Sequence, residues 1–204
     1  WNRNLSGHSG AVGEVSFSPK GKILATASSD NTIKIWDYEA GKSIITLVGN
    51  EDMIKCVAFS PDGSIVATGS EDGKVKTWNI ASGMEIFNLN GHQDMVIGVS
   101  FSPDGRKIAS VSQDTTAIIW DLNTGKSLFT LNKKSNGSYG NDIQFSPDGK
   151  WVASGSSAVY PNDNLIKFWD STNGELLFTF KEESSGISTI AFSSFNFIIS
   201  LSFF

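Results

Sequence analysis

The chain has 204 residues, 39% hydrophobic and 18% charged, with a formal net charge of -5. This is ordinary globular composition, which excludes disorder as a description of the whole, and no run of four or more Lys/Arg offers the electrostatic footprint of a nucleic-acid binder. The lone cysteine, Cys56, can form no internal disulfide, no apolar stretch approaches the roughly 20 residues that cross a bilayer, and Trp1-Asn2-Arg3-Asn4 lacks signal-peptide order; the sequence reads as soluble and cytoplasmic, without a membrane partner.

In chain order, Val12 to Ser18 alternates toward Phe17 as a strand, and Pro19-Lys20-Gly21 turns the chain. A second strand runs Ile23 to Ser28, a tight turn follows at Asp30-Asn31, and a third strand, Ile33 to Asp37, ends on Trp36-Asp37. Gly41 then opens a fourth strand, Ser43 to Val48. The unit then recurs. Trp36, Trp78 and Trp120 are 42 and 42 apart, with Trp169 a further 49 on. Phe17, Phe59, Phe101, Phe145 and Phe192 are spaced 42, 42, 44 and 47, and the first turn returns as Pro61-Asp62-Gly63, Pro103-Asp104-Gly105 and Pro147-Asp148-Gly149. The excess spacing reads as loop insertion, about two residues around Lys133 to Asn141 and five in Ser156 to Asn162, the latter within an irregular rim loop from Ser157 to Asn164. Ile187 to Phe204 supplies two strands of a fifth unit and stops before its turn and tryptophan.

Gly7-His8 followed 29 residues later by Trp36-Asp37, and Gly91-His92 followed by Trp120-Asp121, resemble WD repeats over essentially the whole chain. The resemblance implies an all-β propeller of four-stranded antiparallel blades, an incomplete ring of four full blades and a partial fifth. The repeats divide near residues 7–48, 49–90, 91–132, 133–181 and 182–204 of a single domain spanning 1–204, with Trp1 to Leu5 as the outermost strand of a preceding unit. The expectation is that the natural protein is longer, or that the open edges join another copy.

The resemblance also carries over a buried hydrogen-bonded tetrad in each blade: His8, Thr26, Asp30 and Trp36 in the first, and His92, Ser110, Asp114 and Trp120 in the third. The second keeps Thr68, Asp72 and Trp78 but has Asn50 for the histidine. The fourth keeps Ser154 and Trp169, with Asp163 beyond the Tyr160-Pro161 insertion and Lys133-Lys134 at the Gly-His place. Units one and three are thus expected to be the stiffest. A hydroxyl, imidazole and carboxylate together invite a hydrolase reading, but a set repeated around a scaffold has no single cleft. Neither histidine has a second Cys or His at ligand spacing, and Gly10-Ala11-Val12-Gly13 lacks the lysine and helix of a phosphate loop, so no metal and no cofactor are expected.

By the same resemblance the partner-facing rim is reached from Ala11, Gly13 and Ser29 in unit one; Met53, Lys55 and Glu71 in unit two; Met95, Ile97 and Gln113 in unit three; and Tyr139, Asn141 and Asn162 in unit four. Two methionines and an isoleucine there suit a protein or peptide, unless they pack between blades. The expected function is a non-enzymatic interaction scaffold or adaptor. The alternative is a sensor or regulatory module of a larger signalling protein, an NTPase or kinase, since the regular spacing is similar to that of WD repeats in bacterial signalling proteins.

Overall fold

The structure, a computed structural model, describes residues 4–131, 138–158, 165–181, 187, 189–193 and 198–201; the side chains of 138–140, 156–158 and 198–201 lie outside the description. Four successive antiparallel sheets fill the chain. Blade one is β1 (Val12–Phe17), β2 (Ile23–Ser28), β3 (Thr32–Asp37) and β4 (Lys42–Val48). Blade two is β5 (Ile54–Phe59), β6 (Ile65–Ser70), β7 (Val75–Asn79) and β8 (Glu85–Leu89), and blade three is β9 (Val96–Phe101), β10 (Lys107–Ser112), β11 (Ala117–Asp121) and β12 (Lys126–Leu131). Blade four is β13 (Ser138–Phe145), β14 (Trp151–Ala158), β15 (Leu165–Asp170) and β16 (Leu176–Lys181), and β17 (Thr189–Phe192) pairs with β18 (Ile198–Leu201) in a two-stranded fifth sheet. There is no helix among the described residues, and so none long and apolar enough to cross a membrane. Asn4 and Leu5 are not in a strand, and Trp1 to Arg3 lie outside the described residues.

Turn chemistry sets the pleats. In the Ser-Pro-Asp-Gly turns the aspartate accepts from the serine hydroxyl two residues before it, as Ser60 donates to Asp62 at 2.6 Å, and the glycine closes the loop at φ 70° in Gly63, a left-handed conformation costly for a side chain. First strands of consecutive sheets neighbour one another (β1 with β5, β5 with β9, β9 with β13, β13 with β17), so they line a common axis with the fourth strands outermost, and the sheets do not close into a ring.

The cores lie between blades. Ala25, Ala27, Ile33, Ile35 and Leu47 of blade one pack on Ile54, Val57 and Phe59 of blade two, and the pattern repeats onward. Small residues are needed on the outer part of this interface: a Cβ on Gly125 would sit 2.6 Å from the Phe87 ring of the blade before. Coverage by the preceding blade decides burial. Val15 is 48% exposed and Phe17 65%, whereas Val57, Val99 and Ile143 are 3%, 8% and 0% and Phe59 is 9%.

Of the two expected insertions, 133–137 and 159–162 lie outside the described residues. Ser138 pairs with Ala158, Tyr139 with Ser157 and Gly140 with Ser156, and β13 and β14 are each two residues longer than β1 and β2. Backbone groups added to one strand are paired most readily by residues added to its neighbour; Ser157 and Ala158 of the expected rim loop belong to β14, and 159–164 lie outside the described residues.

Candidate functional site

Blades one and three each carry a polar chain running from the loop before the first strand to the third strand. In blade one, Trp36 Nε1 donates to Thr26 Oγ1 at 2.8 Å, Thr26 Oγ1 lies 2.6 Å from His8 Nε2, and His8 Nδ1 lies 2.9 Å from Asp30 Oδ2. One proton assignment satisfies every contact: the indole donates to the hydroxyl, the hydroxyl to Nε2, and Nδ1–H to the carboxylate. Asp30 also accepts the Ser9 and Thr32 amides at 2.9 and 3.0 Å, which clamps the His8 loop to the β2–β3 turn.

Blade three repeats the arrangement. Trp120 Nε1 donates to Ser110 Oγ at 2.8 Å, His92 Nε2 is 2.8 Å from that oxygen, and His92 Nδ1 is 3.1 Å from Asp114 Oδ2, which accepts the Gln93 amide at 2.8 Å. Burial would raise both aspartates, but the hydrogen bonds from histidine, threonine hydroxyl and backbone amides outweigh it and hold Asp30 and Asp114 well below the usual carboxylate range.

The connectivity is that of a nucleophile, base and carboxylate. Ser110, however, is fully buried with its oxygen engaged by the Trp120 indole, which leaves no face open to a substrate. The arrangement fixes loops. Among the described residues no group of three or more His, Cys, Asp or Glu is placed to hold a metal ion.

Blade two keeps only part of this chain. Trp78 Nε1 donates to Thr68 Oγ1 at 3.2 Å, but both polar atoms of the Asn50 side chain and Oδ2 of Asp72 are buried without a hydrogen-bond partner. The Lys74 ammonium is 3.3 Å from that Asp72 oxygen. Buried Lys76 donates to the Gly49 carbonyl at 2.6 Å and holds the loop from below. In blade four Trp169 Nε1 donates to Ser154 Oγ at 3.1 Å; Asp163 and Lys133-Lys134 lie outside the described residues.

The sequence matches the family described as WD domain, G-beta repeat, over residues 2–37, 41–79, 83–121 and 125–170. The chain belongs to the WD-repeat family. Each matched WD repeat ends on its Trp-Asp or Trp-Asn pair, and the matches over 41–79, 83–121 and 125–170 each take the outer strand of one blade with the three inner strands of the next. Among relatives, the chain is 45% identical over 51 residues to WD repeat-containing protein AAC3 of Dictyostelium discoideum, 24% of this chain and 11% of that protein. It is 43% identical over 50 residues to the ribosome biogenesis protein BOP1 homolog of Drosophila virilis, 24% and 6%, and 48% identical over 42 residues to protein Mut11 of Chlamydomonas reinhardtii, 21% and 11%. The matches thus span about a tenth or less of those proteins' lengths. These relatives are eukaryotic, and the expected likeness to bacterial signalling repeats is not borne out.

On the rim, Met53, Met95 and Gln113 are half-buried, with the Met53 and Met95 carbonyls accepting the Glu71 and Gln113 amides at 2.9 Å each. Lys55 and Glu71 pair with each other at 2.6 Å. Half-buried Ile97 packs against the core cluster between blades three and four, the inter-blade packing left open for it as the alternative to the rim. Asn141 is engaged too, its amide donating to the Ile187 carbonyl at 2.8 Å. Ala11 and Gly13 are exposed, and Ser29 accepts the Ala11 amide at 2.9 Å. Asn162 and the Tyr139 side chain lie outside the described residues.

Sequence reasoning missed a pair of inner-strand carboxyls. Glu14 Oε2 accepts the Val57 amide of the next blade at 2.7 Å, and Asp142 Oδ2 accepts the Ile190 amide at 2.9 Å, again one blade on. Glu14 as a residue is exposed on the open face of blade one, but its carboxyl turns in against β5; burial, with Asp142 adding to it, pushes the group up to about 7. Burial likewise raises Asp142 and the Cys56 thiol. The signal was present: Glu14, Cys56, Gly98 and Asp142 occupy the same place in successive repeats, and two of the four are acids on strands that line the axis.

Proposed function

We propose that this chain is a non-enzymatic scaffold that holds a protein or peptide on the rim formed by blades two and three. The observation that carries the reading is positional. In blade three a buried polar chain clamps the loop that carries Met95, in blade two the Lys76 bond to the Gly49 carbonyl holds the loop that carries Met53, and both methionines are half-exposed. Adaptable thioethers on a rigid frame suit an apolar segment flanked by polar groups. The net charge of -5 makes protein a better partner than nucleic acid, and a location inside the cell suits the buried free thiol of Cys56.

The matched stretches are short parts of much longer relatives, which suits the reading of this unit as one module of a larger protein, including a regulatory one. The repeats near residues 7–48, 49–90, 91–132 and 133–181 are the proposed units, and the open apolar face of blade one, with Val12, Val15 and Phe17, is a place for self-association.

Replacing Met53 and Met95 together by Asp tests the rim. The unfolding free energy is expected to stay within about 0.5 kcal/mol of the parent, while capture of a binding protein from extract falls at least tenfold. Unchanged capture removes these residues from the interface, and loss of fold makes them inter-blade packing.

A further inference from the structure

Blade two buries four hydrogen-bonding groups at the repeat positions that the polar chain joins in blades one and three, and leaves them poorly matched. Asn50, Thr68 and Asp72 stand 42 residues from both neighbouring sets, His8, Thr26, Asp30 and His92, Ser110, Asp114. In those blades one imidazole touches the hydroxyl with Nε2 and the carboxylate with Nδ1, because the ring presents two nitrogens on opposite sides. A carboxamide carries both polar atoms on Cγ and is shorter. Asn50 Nδ2, Asn50 Oδ1 and Asp72 Oδ2 are buried and meet no hydrogen-bond partner. The Thr68 hydroxyl accepts the Trp78 indole, and its best acceptor is the Lys76 carbonyl at 3.5 Å, a marginal bond.

We infer that blade two binds a single internal water between Asn50, Thr68 and Asp72, in the position that the histidine ring occupies in blades one and three. Buried polar groups are satisfied almost without exception, and a buried water makes about three bonds to groups of this kind. The size agrees, since exchanging imidazole for carboxamide frees space of the order of the ~30 Å3 that one water takes up. The signs agree as well: the water accepts from Asn50 Nδ2, donates to Asp72 Oδ2, and exchanges its remaining bond with Thr68. A cation is the weaker occupant, because the Lys74 ammonium, 3.3 Å from Asp72 Oδ2, already balances that carboxylate.

The consequence concerns the loop that leads into β5 and carries Met53. In blade three the equivalent loop is fixed by an imidazole anchored to its own backbone. In blade two it is fixed by an exchangeable water together with the Lys76 bond to the Gly49 carbonyl.

A crystal structure of this chain at about 1.6 Å decides the matter. The expected result is one peak within 3.2 Å of Asp72 Oδ2 and of an Asn50 side-chain atom. A direct bond from Asn50 Nδ2 to Asp72 Oδ2 with no peak between them overturns the proposal. In solution, the Asn50 amide protons are expected to show a nuclear Overhauser effect to water of the sign given by a long-lived bound molecule; its absence overturns the proposal equally. Asn50→His is expected to leave no such peak beside Asp72 Oδ2 in its own crystal structure and to raise the Tm by about 2–4 °C. A histidine variant that keeps the peak overturns the proposal.

Discussion

Blades two and three have the same strands, the same turns and the same tryptophan, and differ in how their buried polar atoms are wired. In blade three every atom from the Trp120 indole to the Asp114 carboxylate has a partner of the right sign. In blade two the chain stops at Thr68, and a lysine beneath the loop takes over part of the task. The backbone ladders are nonetheless equivalent, pairing Ile65 with Asn79 in one and Lys107 with Asp121 in the other. The aliphatic faces between blades and the indole therefore define the blade, and the polar chain is added to it to fix the loop above.

The largest effect is expected where the two blades agree. Trp120→Ala should cost about 3–5 kcal/mol by urea unfolding, and Trp78→Ala a similar amount, since each empties a large, almost fully buried site. A blade-three value near zero would show that the polar chain, not the indole, defines the blade.

Next comes the exchange of wiring. His92→Asn should cost about 1–3 kcal/mol by stranding Asp114 and Ser110, and it should make blade three resemble blade two. Equal stability of parent and variant would mean that the imidazole contributes nothing net.

The carboxyls respond to pH in opposite senses. Asp30 and Asp114 are depressed in the fold, so their contribution is complete above the ordinary aspartate range near 4 and is lost as pH falls through and below it. Asp114→Asn should flatten part of that acid limb. Glu14 is raised to about 7 from 4.5, so folding favours its protonated form: stability contributed by this group is present below about pH 4.5 and is lost as pH rises through 7. Glu14→Gln should remove the dependence between pH 5 and 8 in thermal melts, and a slope that survives the substitution assigns it elsewhere.

The smallest effect lies in the turn. Thr115 takes φ 71° where blade two has Gly73 at φ 78°, and a β-branched residue is strained there. Thr115→Gly should change stability by no more than about 1 kcal/mol, in the stabilising direction.

The repeat, the four strands and the turn residues were legible because period-two alternation and Pro-Asp-Gly spacing are local signals. The tryptophans could be aligned by spacing alone. Other features needed a partner strand to be seen. That Ser138 to Gly140 pair with Ser156 to Ala158 is not legible, because nothing in either stretch says that one pairs with the other. Ile97 could be read either as a rim residue or as packing between blades, because its place in the repeat does not reveal the core cluster beside it. Glu14 and Asp142 stand out only once the neighbouring inner strand puts amides beside them. Side-chain wiring between blades depends on a neighbour about 42 residues away, and no short window of sequence contains it.

The expectation that blades one and three are the stiffest can be read from amide exchange, but the proposed scaffold role is a claim about the rim. The most direct measurement is site-specific photocrosslinking in extract of the cells that make the protein, with the reactive group placed in turn at Met95 on the rim and at Met84, which is 68% exposed before an outer strand. The scaffold reading predicts a discrete crosslinked protein from position 95 and none from position 84. The same adduct from both positions, or none from 95 while 84 reacts, would contradict it.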